Sequence, residues 1–71
     1  MKKTVIKVSD LHCQNCVKHV YNALIAISGV KQVEVDLVSK YINVISDENV
    51  AIANLLLEIK VAGYTPELIK E

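Results

Sequence analysis

The period of the hydrophobic pattern changes along this chain in the order two, 3.6, two, two, 3.6, two, and few folds accept that order. Thr4, Ile6 and Val8 share one face of an alternating run, with Lys7 and Ser9 on the other, which predicts a half-buried strand. Asp10 ends it, since Asp favours turns, and residues 10–15 form a loop. From about Asn15, the residues Val17, Val20, Leu24 and Ile27 fall on one face of a helix, and Ser28-Gly29 is its stop signal. Val30–Leu37 alternates again. Tyr41–Ile45 is its partner across the short connection Val38-Ser39-Lys40, so the two form an antiparallel hairpin.

Asp47-Glu48-Asn49 offers caps and acids for the positive end of a second helix. That helix is Val50–Ala62, with Ile52, Leu55, Leu56, Ile59 and Ala62 as its buried stripe and Gly63 as its stop. Tyr64-Thr65-Pro66 is a turn. Glu67-Leu68-Ile69 is a short last strand, with Pro66 at a strand start or an edge because it has no backbone N–H.

The resulting β-α-β-β-α-β order predicts an α+β, ferredoxin-like sandwich: a four-stranded antiparallel sheet with two helices on one face. The other face is solvated, which suits Lys7, Ser9, Gln32, Glu34 and Asp36. Residues 1–71 read as one domain. A chain this short buries only about 60% of its unfolded surface. With 52% apolar residues and no Trp or Phe, that core is aliphatic. Leu57 and Val61 fall off the stripe of the second helix and read as scattered surface apolarity.

Several classes fall away on composition. Eight basic residues balance eight acidic ones, and three Tyr are the only aromatics. A nucleic-acid binder shows a basic excess and stacking aromatics, so none is expected as partner. No apolar run approaches the ~18 residues of a transmembrane helix, so no membrane insertion is expected. The run after the basic start Met1-Lys2-Lys3 is broken by Lys7, Ser9 and Asp10, short of the apolar core of about 7–15 residues that a signal peptide needs. The chain is therefore expected in the cytoplasm, where a Cys pair serves metal binding or catalysis more often than it staples a fold.

That pair is Cys13 and Cys16, the two cysteines of the chain, at the junction of the first strand and first helix. A helix N-terminus carries unpaired N–H groups and partial positive charge. Both stabilise a thiolate, so at least Cys16 is expected to have a lowered pKa. Two thiolates without a nearby carboxylate suit soft, two-coordinate Cu(I), whereas Zn(II) usually takes four ligands. His12 and His19 leave Zn(II) open, since Cys16 and His19 lie three apart on one side of the helix. Ag(I) and Cd(II) are expected to bind such a site in vitro. His19 otherwise reads as an exposed helix residue.

The segment Leu11-His12-Cys13-Gln14-Asn15-Cys16 resembles the Gly-Met-x-Cys-x-x-Cys motif of heavy-metal-associated domains, in particular bacterial copper chaperones of the Atx1-like type. The likeness runs through the element order, Ser28-Gly29-Val30 before the second strand and Gly63-Tyr64-x-Pro66 after the second helix. It implies a soluble, non-enzymatic carrier that exchanges Cu(I) with the metal-binding domain of a copper-transporting P-type ATPase. In that resemblance Cys13 and Cys16 match the metal ligands, and Tyr64 matches a turn residue beside the metal loop, where eukaryotic members carry Lys. Leu11 stands where the family has Met, a buried tether, and should substitute well. Asp10 stands where it has Gly and could stiffen the loop. His12 is an optional third ligand, also in a metal-bridged homodimer.

Three other readings compete. One is a metal-binding domain excised from a P-type ATPase; Met1 and the end soon after the last strand favour a free-standing protein instead. Another is a zinc- or cadmium-handling carrier. The third is a thiol–disulfide oxidoreductase, whose chemistry Cys-x-x-Cys at a helix start also fits. The thioredoxin-like fold, however, needs a longer chain and a proline packed on the active site.

Overall fold

The computed structural model describes residues 1–70. The elements are β1 (Lys2–Val8), α1 (Gln14–Ile25), β2 (Val30–Val35), β3 (Tyr41–Ser46), α2 (Ile52–Val61) and β4 (Pro66–Lys70). They form one antiparallel sheet in the order β2-β3-β1-β4, with both helices packed on one face. Ile6, Val8, Val33, Ile42 and Val44 from the sheet meet Val20, Leu24, Leu55 and Ile59 from the helices in a single aliphatic core. Pro66 opens β4, an edge strand paired only with β1, where its missing N–H costs no ladder bond.

The sheet is less regular than alternation alone predicts. β2 ends at Val35, and one extra residue around Lys31 bulges it against β3. The bulge leaves Lys31 and Gln32 both exposed before Val33 turns inward. Asp36 then builds the hairpin turn in place of an Asn-Gly pair. Its Oδ1 accepts the N–H groups of Val38 at 2.9 Å and Ser39 at 3.4 Å, and Lys40 closes the turn at φ 67. These N–H groups, Ser39 first, hold the Asp36 carboxyl below its ordinary pKa.

Both helices are shorter than their periodicity predicts. α1 stops at Ile25, with Ala26 as its C-cap, and the chain tightens through Ile27 N–H to Leu24 O at 3.1 Å. Ile27 keeps its place against the core but lies outside the helix. Gly29, at φ +97, serves the turn into β2 and is not the helix stop. α2 starts at Ile52, and its N-cap Ala51 makes no side-chain cap bond. Asp47 is spent on its own turn, where its Oδ1 accepts Asn49 N–H at 3.2 Å. What starts α2 is hydrophobic: Val50 before the cap and Leu55 in the next turn are both core residues, the pattern of a hydrophobic staple.

The C-terminus of α2 sets up the site. Gly63 takes φ +103 just past the C-cap Ala62. Gly63 N–H donates to Lys60 O at 3.0 Å and Tyr64 N–H to Ile59 O at 3.2 Å, which together make a Schellman motif. The motif turns Tyr64 back over the core, toward the loop between β1 and α1.

Candidate metal centre

The loop after β1 is held from below by Leu11, which is fully buried and belongs to the core cluster. Its N–H donates to Val8 O at 3.2 Å, and its carbonyl accepts the ammonium of Lys40 from the hairpin turn. With Leu11 pinned, the next residues stand at one tip of the domain: His12 exposed, Cys13 half-buried and Cys16 at 7% exposure.

Cys13 is the N-cap of α1. Its φ of −151 and ψ of 164 are extended, and its sulfur accepts Cys16 N–H at 3.2 Å. A cysteine thus takes the role that Ser or Asp usually fills at a helix start. One ring nitrogen of His12 and the sulfurs of Cys13 and Cys16 all lie within 4.8 Å of one another. Two sulfurs on one ion, each at about 2.3 Å, stand at most roughly 4.6 Å apart. Small side-chain adjustments therefore bring all three atoms to bonding distance of a single ion.

The Cys16 thiol is lowered from 9.0 to about 7. The largest cause is the hydrogen bond with the Cys13 side chain, and the Tyr64 hydroxyl is the next. Burial opposes both, while the backbone N–H and nearby charge of His12 assist. The direction agrees with the helix-start argument, and the leading causes are the side chains of Cys13 and Tyr64. Tyr64 answers in the opposite sense. Its hydroxyl is raised from 10.0 to about 12, first by its hydrogen bond to Cys16, then by burial and the charges of Cys16, Cys13 and Asp10. A phenol that stays protonated is a permanent donor to the thiolate.

Two residues that the sequence left without a firm role belong to this centre. The Asp10 carboxylate accepts Thr65 N–H at 3.2 Å on each oxygen and so ties the loop to the turn that carries Tyr64. Lys40 reaches the loop from 29 residues away, a contact for which the sequence offers no local signal. His19 does not join the cluster. Among the described residues the converging donors are His12, Cys13 and Cys16. Three donors are one fewer than a closed, four-ligand structural zinc site uses.

The heavy-metal-associated domain model matches residues 5–65. A Haemophilus influenzae protein of uncharacterized function is 35% identical over 65 residues, spanning 90% of this chain and 94% of that protein. Among solved structures, a copper binding domain from HMA7, a P-type ATPase, superposes with a TM-score of 0.94 at 30% identity, covering 100% of this chain and 97% of the other. The CopZ metallochaperone superposes at 0.88 with 26% identity, covering 96% and 100%. No described helix is long and apolar enough to cross a membrane.

Proposed function

Because the chain belongs to the heavy-metal-associated domain family, we propose that it is a copper chaperone, one carrier domain over residues 1–71 that acts in the cytoplasm and catalyses no reaction. Cys13 and Cys16 hold Cu(I) as thiolates. The ion is exchanged with the metal-binding domain of a copper-transporting P-type ATPase. The observation that carries this reading is the convergence of two sulfurs, one of them lowered to about 7, at an exposed tip. The likeness to a copper binding domain and to a metallochaperone supports the choice of metal.

Exchange follows from the geometry. A thiolate of the partner approaches through the exposed side and adds to Cu(I), giving a three-coordinate shared ion. One sulfur of this chain then leaves. Half-buried Cys13 is the accessible sulfur, while Cys16 is held under Tyr64. Leu11 and Tyr64 shape the loop and do not ligate. The ferredoxin-like architecture gives the oxidoreductase reading no support. The likeness to an ATPase domain also fits a second reading, in which this chain is itself such a domain.

Anaerobic competition of the reduced protein against a chromogenic Cu(I) chelator, with Zn(II) run in parallel, tests the reading. Tight one-to-one Cu(I) binding that is lost in Cys13→Ser and in Cys16→Ser, with unchanged far-ultraviolet dichroism, is the expected result. Tight Cu(I) binding retained by the double variant would sink the site. Weak Cu(I) with tight Zn(II) would move the chain to zinc or cadmium handling. For the partner, Cu(I)-dependent shifts around residues 10–16 and 64, on adding a copper-ATPase metal-binding domain, are expected in a nitrogen-15 spectrum.

A further inference from the structure

His12 lies beside the two sulfurs, and its ring is not free to present either nitrogen. Its Nδ1 stands 2.8 Å from the backbone carbonyl of Asp10. A carbonyl oxygen only accepts, so Nδ1 carries a proton, and whenever the ring is neutral its lone pair is on Nε2. An imidazole oriented by an Nδ1–H to a backbone carbonyl is the arrangement that histidine ligands adopt around bound metals. Asp10 is itself fixed, because both its carboxylate oxygens accept the N–H of Thr65 at 3.2 Å. The chain of restraint therefore runs from the turn after α2, through Asp10, to the ring of His12.

From this geometry we infer that His12 is a third metal ligand of this chain, bound through Nε2, and that Asp10 is the residue that positions it. The inference rests on the carrier reading of Cys13 and Cys16 and adds the ligand set. Two sulfurs and one nitrogen make a three-donor site with a position left open. Cu(I) accepts two or three ligands, so the ring is dispensable for holding it. A borderline ion such as Zn(II) favours imidazole and needs the higher coordination number, so His12 matters more for Zn(II). The exposed imidazole is also the weakest-held donor, and it is the one an incoming thiolate displaces first. Asp10 then has a reason to stand in place of the glycine of the resemblance: a glycine has no carboxylate with which to hold the carbonyl that orients the ring.

Two measurements decide it. The first needs no metal. Nitrogen-15 shifts of the His12 ring in the apo protein report the tautomer directly. The Nδ1–H form is expected in the wild type and should give way to the Nε2–H form in Asp10→Gly. The second is X-ray absorption of the protein loaded with Zn(II) and, separately, with Cu(I). Imidazole scattering is expected with Zn(II) and should vanish in His12→Ala, with Zn(II) affinity falling by at least about 10–100-fold, the cost of losing a ligand's outer-shell partner alone, and Cu(I) affinity falling less. His12 is exposed, so this variant keeps the fold. Sulfur-only coordination of Zn(II) in the wild type, or equal Zn(II) affinity in His12→Ala, would overturn the inference while leaving the two-cysteine carrier intact. Loss of both metals in Cys13→Ser alone tests that carrier reading separately. An Nε2–H tautomer in the wild type would remove the role given to Asp10.

Discussion

Tyr64 meets the thiolate of Cys16 with a hydroxyl, a neutral donor where a cation would neutralise charge outright. Replacing it by Phe keeps the ring and removes the O–H, so the Cys16 thiol should rise from about 7 toward its ordinary value, read by the ultraviolet absorbance of the thiolate against pH. The same shifts predict how stability depends on pH. Folded Cys16 titrates at about 7 and unfolded Cys16 near 9.0, so across that window the unfolded chain binds more protons. The Cys16 contribution to the stability of the reduced apo protein should therefore grow from pH 7 to pH 9 and be absent once pH has fallen through 7, where the rest of the fold's stability remains. Tyr64 acts in the reverse sense. Its contribution is present below pH 10 and disappears as pH climbs toward about 12. Urea unfolding at several pH values checks both arms, and Cys16→Ser should flatten the lower one. A third residue-scale feature is unrelated to metal. The hydroxyls of Thr4 and Ser46 are buried with no hydrogen-bond partner among the described residues. Thr4→Val removes one orphan at nearly constant shape and should stabilise the fold by about 1 kcal/mol, seen as a raised urea midpoint.

At the scale of elements, the turns differ in what their glycines do. Gly63 and Gly29 both have positive φ, +103 and +97. A Cβ on Gly63 would meet nothing within 4 Å, so Gly63→Ala should cost only the left-handed penalty of about 1–2 kcal/mol. A Cβ on Gly29 would stand 2.6 Å from Val50 Cγ2 and 3.0 Å from Asp47 Oδ1. Gly29→Ala should add an overpacking cost of roughly 1–3 kcal/mol. It should also disturb the staple that starts α2, since Val50 would have to move. Thermal unfolding of the two variants side by side separates these costs. Gly29→Ala proving the milder change would refute the assignment of Val50 as the anchor of α2. The Gly63 variant should also loosen the Schellman turn that delivers Tyr64, so its Cys16 thiol should titrate higher than in the wild type.

For the molecule as a whole, a 71-residue domain has a net stability of only roughly 4–10 kcal/mol. Leu55 is fully buried where both helices and the sheet meet. Leu55→Ala should cost about 2–5 kcal/mol, a large part of the total. The apo variant should be partly unfolded at physiological temperature, and added Cu(I) should restore its dichroism if metal binds only the folded state. The sheet order places β1 at the centre, between the hairpin strand β3 and the C-terminal strand β4. The metal loop leaves the end of β1, so it grows from one of the two inner strands of the sheet.

Much of this protein is legible in its residues. Element order follows from hydrophobic period, because burial of one face imposes period two on a strand and 3.6 on a helix. The pairing of Cys13 with Cys16 follows from spacing, since three residues across a loop-to-helix junction bring two sulfurs together whatever the rest of the chain does. Element ends were less legible. Asp47 looks like a helix cap and Gly29 like a helix stop, but each serves a turn, because local hydrogen bonds and the packing of Val50 compete with helix extension at those points. The resemblance placed Leu11 under the loop and Tyr64 beside it, and the structure agrees, but the contacts that hold these surroundings together were decided only by the tertiary fold. Lys40 on Leu11 and Asp10 on Thr65 join residues 29 and 55 positions apart, and Tyr64 meets Cys16 from the far end of α2. Such contacts leave no periodic trace in a sequence: each depends on where separate elements stop and on how the sheet sets them beside one another.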